Sequence, residues 1–303
     1  MGYENFRKRF KVAVGMCEGE HAMIKEMFNR VELKYLIPFA DYQAIAGILE
    51  SRMAFDRFGD RLGRYKITSL YFDSTDHRVY FETVNRLPIR QKLRMRLYER
   101  LADSEHAAEQ PSAINGSRLP RTVFFELKQK ANNRIHKRRT VMELQEANRF
   151  VQAQEAAAED YASSNPQVLR EIAYARSRHA LMPRVIVEYE RQAFEGIEDD
   201  DLRVTFDYRL ACRHEDLRLD SGAAALPFVD PNLVILEVKV RQSVPLWLAR
   251  ILSEYRCEMR GVSKYCSSVD TACPISDTIR ERRRLFHNPH IGGLSDGAAI
   301  GTT

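Results

Sequence analysis

Apolar and polar residues alternate along much of this chain with the two-residue period of a β-strand. The run Arg30–Pro38 alternates in this way and stops at a proline. The same period predicts strands over Lys66–Phe72, Gln91–Arg100, Thr122–Lys130, Arg138–Glu143, Arg184–Phe194, Leu202–Leu210 and Leu233–Val240. Helical spacing is confined to fewer places. Asp41–Phe55 places Ile45, Ile48 and Leu49 behind Asp41 as an N-cap. Glu143–Leu181 is rich in alanine and glutamate, and Pro245–Tyr255 gathers Trp247, Leu248, Ile251 and Leu252 on one face. Residues 1–29 read as a helical extension and residues 288–303 as a disordered tail, which leaves 30–287 as a single domain. Within it, Ala102–Arg121 carries Pro111, Asn115-Gly116 and Pro120, the composition of a mobile hairpin loop.

Strands in this number leave many open edges unless the sheet closes. The expected fold is therefore α+β, a closed antiparallel β-barrel with flanking helices. The alternation also says what lies on each face, because residues i and i+2 share one. One parity is charged: Glu32 and Lys34; Lys92, Arg94 and Arg96; Glu126, Lys128 and Lys130; Arg203 and Asp207; Glu237 and Lys239. The other is apolar: Val31 and Leu33; Leu93, Met95 and Leu97; Phe125 and Leu127; Val204 and Phe206; Leu236, Val238 and Val240. On a single strand a charged face is ordinarily a solvated one. Five strands repeating it with scarcely a Ser, Thr, Asn or Gln predict a charged, hydrated interior. Its basic residues, Arg94, Arg96, Lys128 and Arg203 among them, are expected to repel one another until an anion binds. Tyr71, Phe72 and Trp247 are expected in the core.

Charge distribution sharpens this. The chain of 303 residues has 47 basic against 42 acidic side chains, a net +5, too small for a uniformly cationic coat. The excess is local, over Arg86–Arg100 and Glu126–Arg139, while acids gather at Glu195–Asp201. Separated clusters of this kind suit a polyanionic ligand. No run of about eighteen apolar residues is present, so no membrane-spanning helix is expected. The N-terminal apolar stretch VAVGM is too short for a signal peptide. Five cysteines without a CxxC pair fit free thiols in a reducing cytoplasm. Basic residues lack the interleaved aromatics of single-strand binders, so nucleic acid is not expected as a partner.

Eight segments in this order carry a family likeness: Glu32-Leu-Lys34-Tyr35, Ile67–Asp73, Lys92–Tyr98, Phe125–Lys130, Tyr189–Phe194, Leu202–Asp207, Leu236–Lys239 and Ser263-Lys264-Tyr265. They resemble the VTC-type polyphosphate polymerase domain, a branch of the triphosphate tunnel metalloenzyme (CYTH-like) superfamily. The wider superfamily has ExExK on its first strand, whereas Arg30 stands at the first glutamate position here. That departure favours the branch that builds or binds long phosphate chains. The resemblance implies an ATP-dependent polyphosphate polymerase, a phosphotransferase that moves the γ-phosphate of ATP onto a growing chain. It assigns catalysis to Lys34, Arg94, Arg96, Lys128, Arg191, Arg203 and Lys264, and substrate binding to Lys130, Tyr189, Lys239 and Arg139. It also implies Mn²⁺ or Mg²⁺ held by Glu237 first, then Glu126 and Glu32, since carboxylates suit hard divalent ions. Phosphoryl transfer needs positioned charge more than a protein nucleophile. ATP and inorganic polyphosphate or triphosphate are the expected partners, with any membrane or regulatory partner encoded separately. A tunnel-type triphosphatase and a non-catalytic polyphosphate-binding module remain the alternatives.

Overall fold

The structure, a computed structural model, describes residues 31–101, 121–131, 134–153, 157–199, 201–276 and 279. The expected helical extension, Arg30, most of the 102–121 loop and the tail lie outside them. Ten strands form one antiparallel sheet: β1 Val31–Pro38, β2 Met53–Phe55, β3 Arg64–Asp73, β4 Ile89–Arg100, β5 Thr122–Ala131, β6 Arg134–Glu143, β7 Met182–Gly196, β8 Arg203–Arg213, β9 Leu226–Pro227 and β10 Leu233–Val240. The main path runs β1-β10-β8-β7-β3-β4-β5-β6, with β2 added to β7 and β9 to β8. Among the described residues six α-helices flank it: α1 Phe39–Glu50, α2 Arg78–Val84, α3 Leu144–Gln152, α4 Pro166–Arg178, α5 Leu246–Glu254 and α6 Lys264–Ala272.

The sheet is not the closed barrel expected. Its ends are β1 and β6, and no ladder joins them among the described residues. Alternation specifies which face a side chain takes, not whether the first and last strands find each other. Both end strands carry charge, Glu32 and Lys34 on one, Arg134, Lys137 and Arg139 on the other, a common protection for an open edge. Glu32 on β1 and Lys128 on β5 each lie within the other's electrostatic field.

Helix α1 begins at Phe39 after Pro38 and ends at Glu50, so Asp41 lies in its first turn rather than at the cap. The predicted remainder, Met53–Phe55, pairs instead with Glu195 and its neighbours on β7, where it satisfies its backbone groups. Helices α2 and α6 lie outside the segments with helical spacing in the sequence. Ser263 caps α6 by accepting a hydrogen bond from the Cys266 amide at 3.3 Å. Asp73 receives the amides of Val79 and Tyr80 at 2.7 and 3.1 Å at the start of α2. In the 143–181 segment, Asn165 caps α4 with Pro166 at its first position.

Apolar cores lie under these helices, against the uncharged parity of the strands. Tyr42, Ile45 and Leu49 of α1 with Leu248 and Leu252 of α5 cover Phe206, Leu236 and Val238. Phe150 of α3 and Leu169 and Ile172 of α4 join the cluster containing Phe125, Leu93 and Met95. Gly63 permits a close crossing beside β7. Its φ of +66° is left-handed, and a Cβ there would meet the Ala193 carbonyl oxygen at 2.6 Å.

Candidate functional site: a charged face with unpaired cations

Strand register fixes which charged residues become neighbours. Directly opposed residues in a ladder share a face. Lys34 opposes Glu237, Glu32 opposes Lys239, and both Lys239 and Glu195 oppose Arg203. Arg191 opposes Asp207 on one side and Tyr65 on the other. Tyr71 opposes Arg94, Ser69 opposes Arg96, Arg94 opposes Glu126, and Glu126 opposes Arg139. The period-two reading thus places Lys34, Glu237, Asp207, Arg191, Arg96, Arg94 and Glu126 on one continuous face.

The first cluster on that face centres on Glu237, 4% exposed. Its Oε1 accepts hydrogen bonds from Lys34 Nζ and Lys264 Nζ, each at 2.9 Å. Its Oε2 lies 3.3 Å from Lys239 Nζ and 4.0 Å from Arg191 Nη2. Burial pushes this carboxyl upward, but Lys264, Lys239 and Lys34 outweigh it and hold it well below the usual carboxylate range. Asp207 is the second anchor. Arg191 grips it with two hydrogen bonds of 2.5 and 2.7 Å, and Lys264 Nζ approaches its Oδ2 to 2.5 Å. Lys264 reaches both carboxylates because it is the first residue of α6, whose cap aims that turn at the sheet. Tyr189 is 2% exposed, its ring flanked by Arg191 and Lys264 at 5.5 and 5.2 Å.

The second cluster centres on Glu126, 1% exposed, which takes Arg94 Nε at 2.7 Å and Lys137 Nζ at 2.5 Å. Burial again opposes ionisation, and Arg94, Arg96 and Lys137 outweigh it. Arg94 also donates to Tyr71 Oη at 3.4 Å. Burial would raise the Tyr71 phenol, but Arg94, Arg96 and Lys92 bring it down to about 8. Tyr71 is thus buried as expected, yet on the charged face. A third group sits apart: Arg203 pairs with Asp56 and, at 2.8 Å, with Glu195.

These partners correct the expected repulsion. Arg94 and Arg203 are neutralised by carboxylates, and so are Arg191, Lys34 and Lys264. Asp56 and Asp207 supply two of these carboxylates and Lys137 joins Arg94 on Glu126, and none of the three is among the site residues expected from the sequence. The parity of Asp207 with Arg203 and of Lys137 with Arg139 was a readable signal; for Asp56, 147 residues from Arg203, the sequence held none.

A subset stays uncompensated. Among the described residues no carboxylate lies within ion-pairing distance of Lys92, Arg96, Lys128, Lys130 or Arg139. Arg96 instead donates to Tyr98 Oη at 3.0 Å and Ser69 Oγ at 3.3 Å. Lys92 sits 3.5 Å from Ser263 Oγ and over the Tyr265 ring. Desolvation, with Lys128 and Lys34 nearby, depresses the Lys92 ammonium below its usual range. Lys128 keeps an exposed tip, and desolvation with Arg94 and Lys34 depresses it too, Glu32 opposing. Arg139 is exposed and lies over Phe124 at 4.9 Å. Arg138 has the other parity and binds Glu171 of α4 at 3.1 Å, away from the face.

The carboxylates bear on the implied metal. Among the described residues no three His, Cys, Asp or Glu side chains converge, so there is no all-protein cage. Glu32 and Glu237 do converge on one cation, the Lys34 ammonium, at 3.2 and 2.9 Å. These two carboxylates are the donor type a hard divalent ion takes alongside phosphate oxygens, but the position between them is filled by the Lys34 ammonium, which such an ion would have to displace. Glu126 lies in the other cluster, between Arg94 and Lys137.

With this geometry in hand, the comparisons place the molecule. Residues 29–273 match the VTC domain, and the chain belongs to that family. No curated protein matches it. Among solved structures it is similar to a Hippeastrum protein described as an adenylyl cyclase with a dominant triphosphatase activity. That pair has 14% identity, 80% and 96% coverage of the two chains and a TM-score of 0.43. A protein from Pyrococcus horikoshii is 13% identical, with 80% and 99% coverage and a TM-score of 0.37. Likenesses this distant carry no weight beside the family match. No helix among the described residues is long and apolar enough to cross a membrane.

Proposed function

We propose that this protein is an ATP-dependent polyphosphate polymerase that moves the γ-phosphate of ATP onto the terminal phosphate of a growing chain. The observation that carries it is that Lys92, Arg96 and Lys128 meet no carboxylate among the described residues, on a face where Lys34, Arg94, Arg191, Arg203 and Lys264 are ion-paired. Cations left crowded and partly desolvated await an anion, and a phosphate chain with regularly spaced charge suits a row of them. In this reading Arg96, Lys92 and Lys128 take phosphate oxygens directly. Arg94, fixed at Nε by Glu126, offers its remaining guanidinium nitrogens. Arg191 and Lys264, locked by Asp207 and Glu237, form the rigid wall against which the chain is positioned. Glu32 and Glu237 would hold a divalent ion that neutralises charge on the transferring phosphoryl group.

The reaction breaks the bond between the γ-phosphorus and its bridging oxygen to the β-phosphate, which leaves on ADP. A new bond forms from an oxygen of the acceptor's terminal phosphate to the γ-phosphorus. That acceptor is already anionic and needs no general base. Water would need one, and Glu237, Glu126 and Asp207 are all held below the ordinary carboxylate range by their cations. Such carboxylates are weak bases, which favours transfer to phosphate over hydrolysis. Incubation with ATP and Mn²⁺ or Mg²⁺, followed by gel separation, tests this. ADP is expected to accumulate with long chains and little free phosphate. Free phosphate rising in step with ADP, without chains, would assign the protein to the triphosphatases. Triphosphate binding without turnover would make it a binding module.

A further inference from the structure

The charged face ends in aromatics that the phosphate chemistry does not use. Tyr98, the next inward residue after Arg96 on β4, is 36% exposed. Phe124, two residues before Glu126 on β5, is half-buried and meets the Tyr98 ring edge-on at 5.3 Å between centroids. Arg139 lies over the Phe124 ring at 4.9 Å, and Arg96 lies 5.7 Å from the Tyr98 ring. Tyr65 packs behind Tyr98 at 5.9 Å. On the uncharged parity of the sheet, rings of this size are covered by helices, as Phe125 is by Phe150. Tyr98 and Phe124 instead stay accessible on the side where phosphate would bind.

We infer that Tyr98 and Phe124 form a stacking subsite for the base of a nucleoside triphosphate whose phosphates lie against Arg96 and Arg94. This rests on the phosphate-binding reading above and adds a base site to it. The occupant follows from the chemistry of the two ends. A ligand with a flat π-surface at one end and several negative charges at the other matches rings that continue directly into the Arg96 guanidinium, which meets no carboxylate among the described residues, and then into the Glu126-held Arg94. An inorganic chain would use the cations and leave the rings idle. Aromatic side chains stack on any base through its π-face, and Arg139 over Phe124 adds a cation to the same stack. The subsite would also set direction, with the base at the Tyr98 end and the γ-phosphate toward Lys92. Arg96 couples the two ends, since one guanidinium both touches the Tyr98 phenol and faces the phosphates.

The test compares two probes, ATP and inorganic triphosphate, by titration calorimetry on the wild type, Phe124→Leu and Phe124→Tyr. Leucine keeps apolar packing and removes the π-face, and tyrosine restores that face. The inference expects Phe124→Leu to weaken ATP at least about fivefold, the lower end of what one base–aromatic stack contributes. Inorganic triphosphate is expected to bind that variant within about twofold of wild type, which also certifies its fold, and Phe124→Tyr to recover ATP binding. Equal losses for both probes, or no loss for either, would overturn the base subsite. Failure of the wild type to bind inorganic triphosphate at all would overturn the phosphate reading beneath it.

Discussion

Replacing Glu237 with glutamine probes the ion-pair core of the site, and the structure predicts a larger effect on stability than a surface carboxylate would give. The side chain is 4% exposed, and Lys34, Lys264, Lys239 and Arg191 converge on it. Glutamine keeps the volume but removes the charge, and its amide NH₂ turns a donor toward one of those cations. Breaking a buried ion pair by removing one partner costs about 3–5 kcal/mol. At about 2–4 °C per kcal/mol for a domain of this size, Glu237→Gln is expected to melt about 6–20 °C below wild type near neutral pH. The pH dependence has a definite sign. The folded carboxyl lies below its free value of 4.5. Its stabilisation is therefore complete above that value and is lost as pH falls through the folded one. The gap between wild type and variant must narrow on acidification below 4.5, because the wild type then loses what the variant never had. Calorimetric melting near neutral pH and at about pH 3.5 measures both. A variant melting within about 2 °C of wild type at neutral pH, or a gap that does not narrow in acid, would refute the account of Glu237 as the shared counter-ion.

Two further expectations separate the paired cations from the unpaired ones. Arg94→Ala leaves the buried Glu126 with Lys137 alone and is expected to cost about 3–5 kcal/mol in melting experiments. Lys128→Ala removes a cation without a carboxylate partner, so the ligand-free protein is expected to melt no lower while the shift produced by inorganic triphosphate shrinks; equal behaviour of the two variants would contradict the assignment of partners. Tyr71 is expected to ionise at about 8, seen as one tyrosinate absorbance step missing in Tyr71→Phe and moved upward by bound triphosphate. Because the folded value lies below the free one of 10.0, Tyr71 adds stability as pH rises from about 8 toward it, and no tyrosinate step below about 9.5 would show that Arg94 and Arg96 do not act on it.

The charged face was legible in the sequence because strand geometry is local. Side chains alternate every residue, so Lys92-Leu-Arg94-Met-Arg96 declares two faces without reference to any other strand. That is why most predicted strands and the location of Lys34, Arg94, Arg96, Arg191 and Glu237 on one side coincide with the structure. Pairing between strands is a different matter, since it depends on register between segments far apart in the chain. Only the tertiary structure seats Lys264 between Asp207 and Glu237, gives Arg203 to Asp56, and delivers Lys137 to Glu126. The same limit applies to closure. Alternation carries no information about whether β1 meets β6, and among the described residues no ladder joins them. Local alternation is enough to say which residues face the site and that cations exceed carboxylates there. Which of those cations are already satisfied depends on the folded assembly, because an ion pair requires a few ångströms of separation that no one strand specifies. Which cations meet no carboxylate among the described residues, Lys92, Arg96 and Lys128 among them, is a property of the assembled sheet alone.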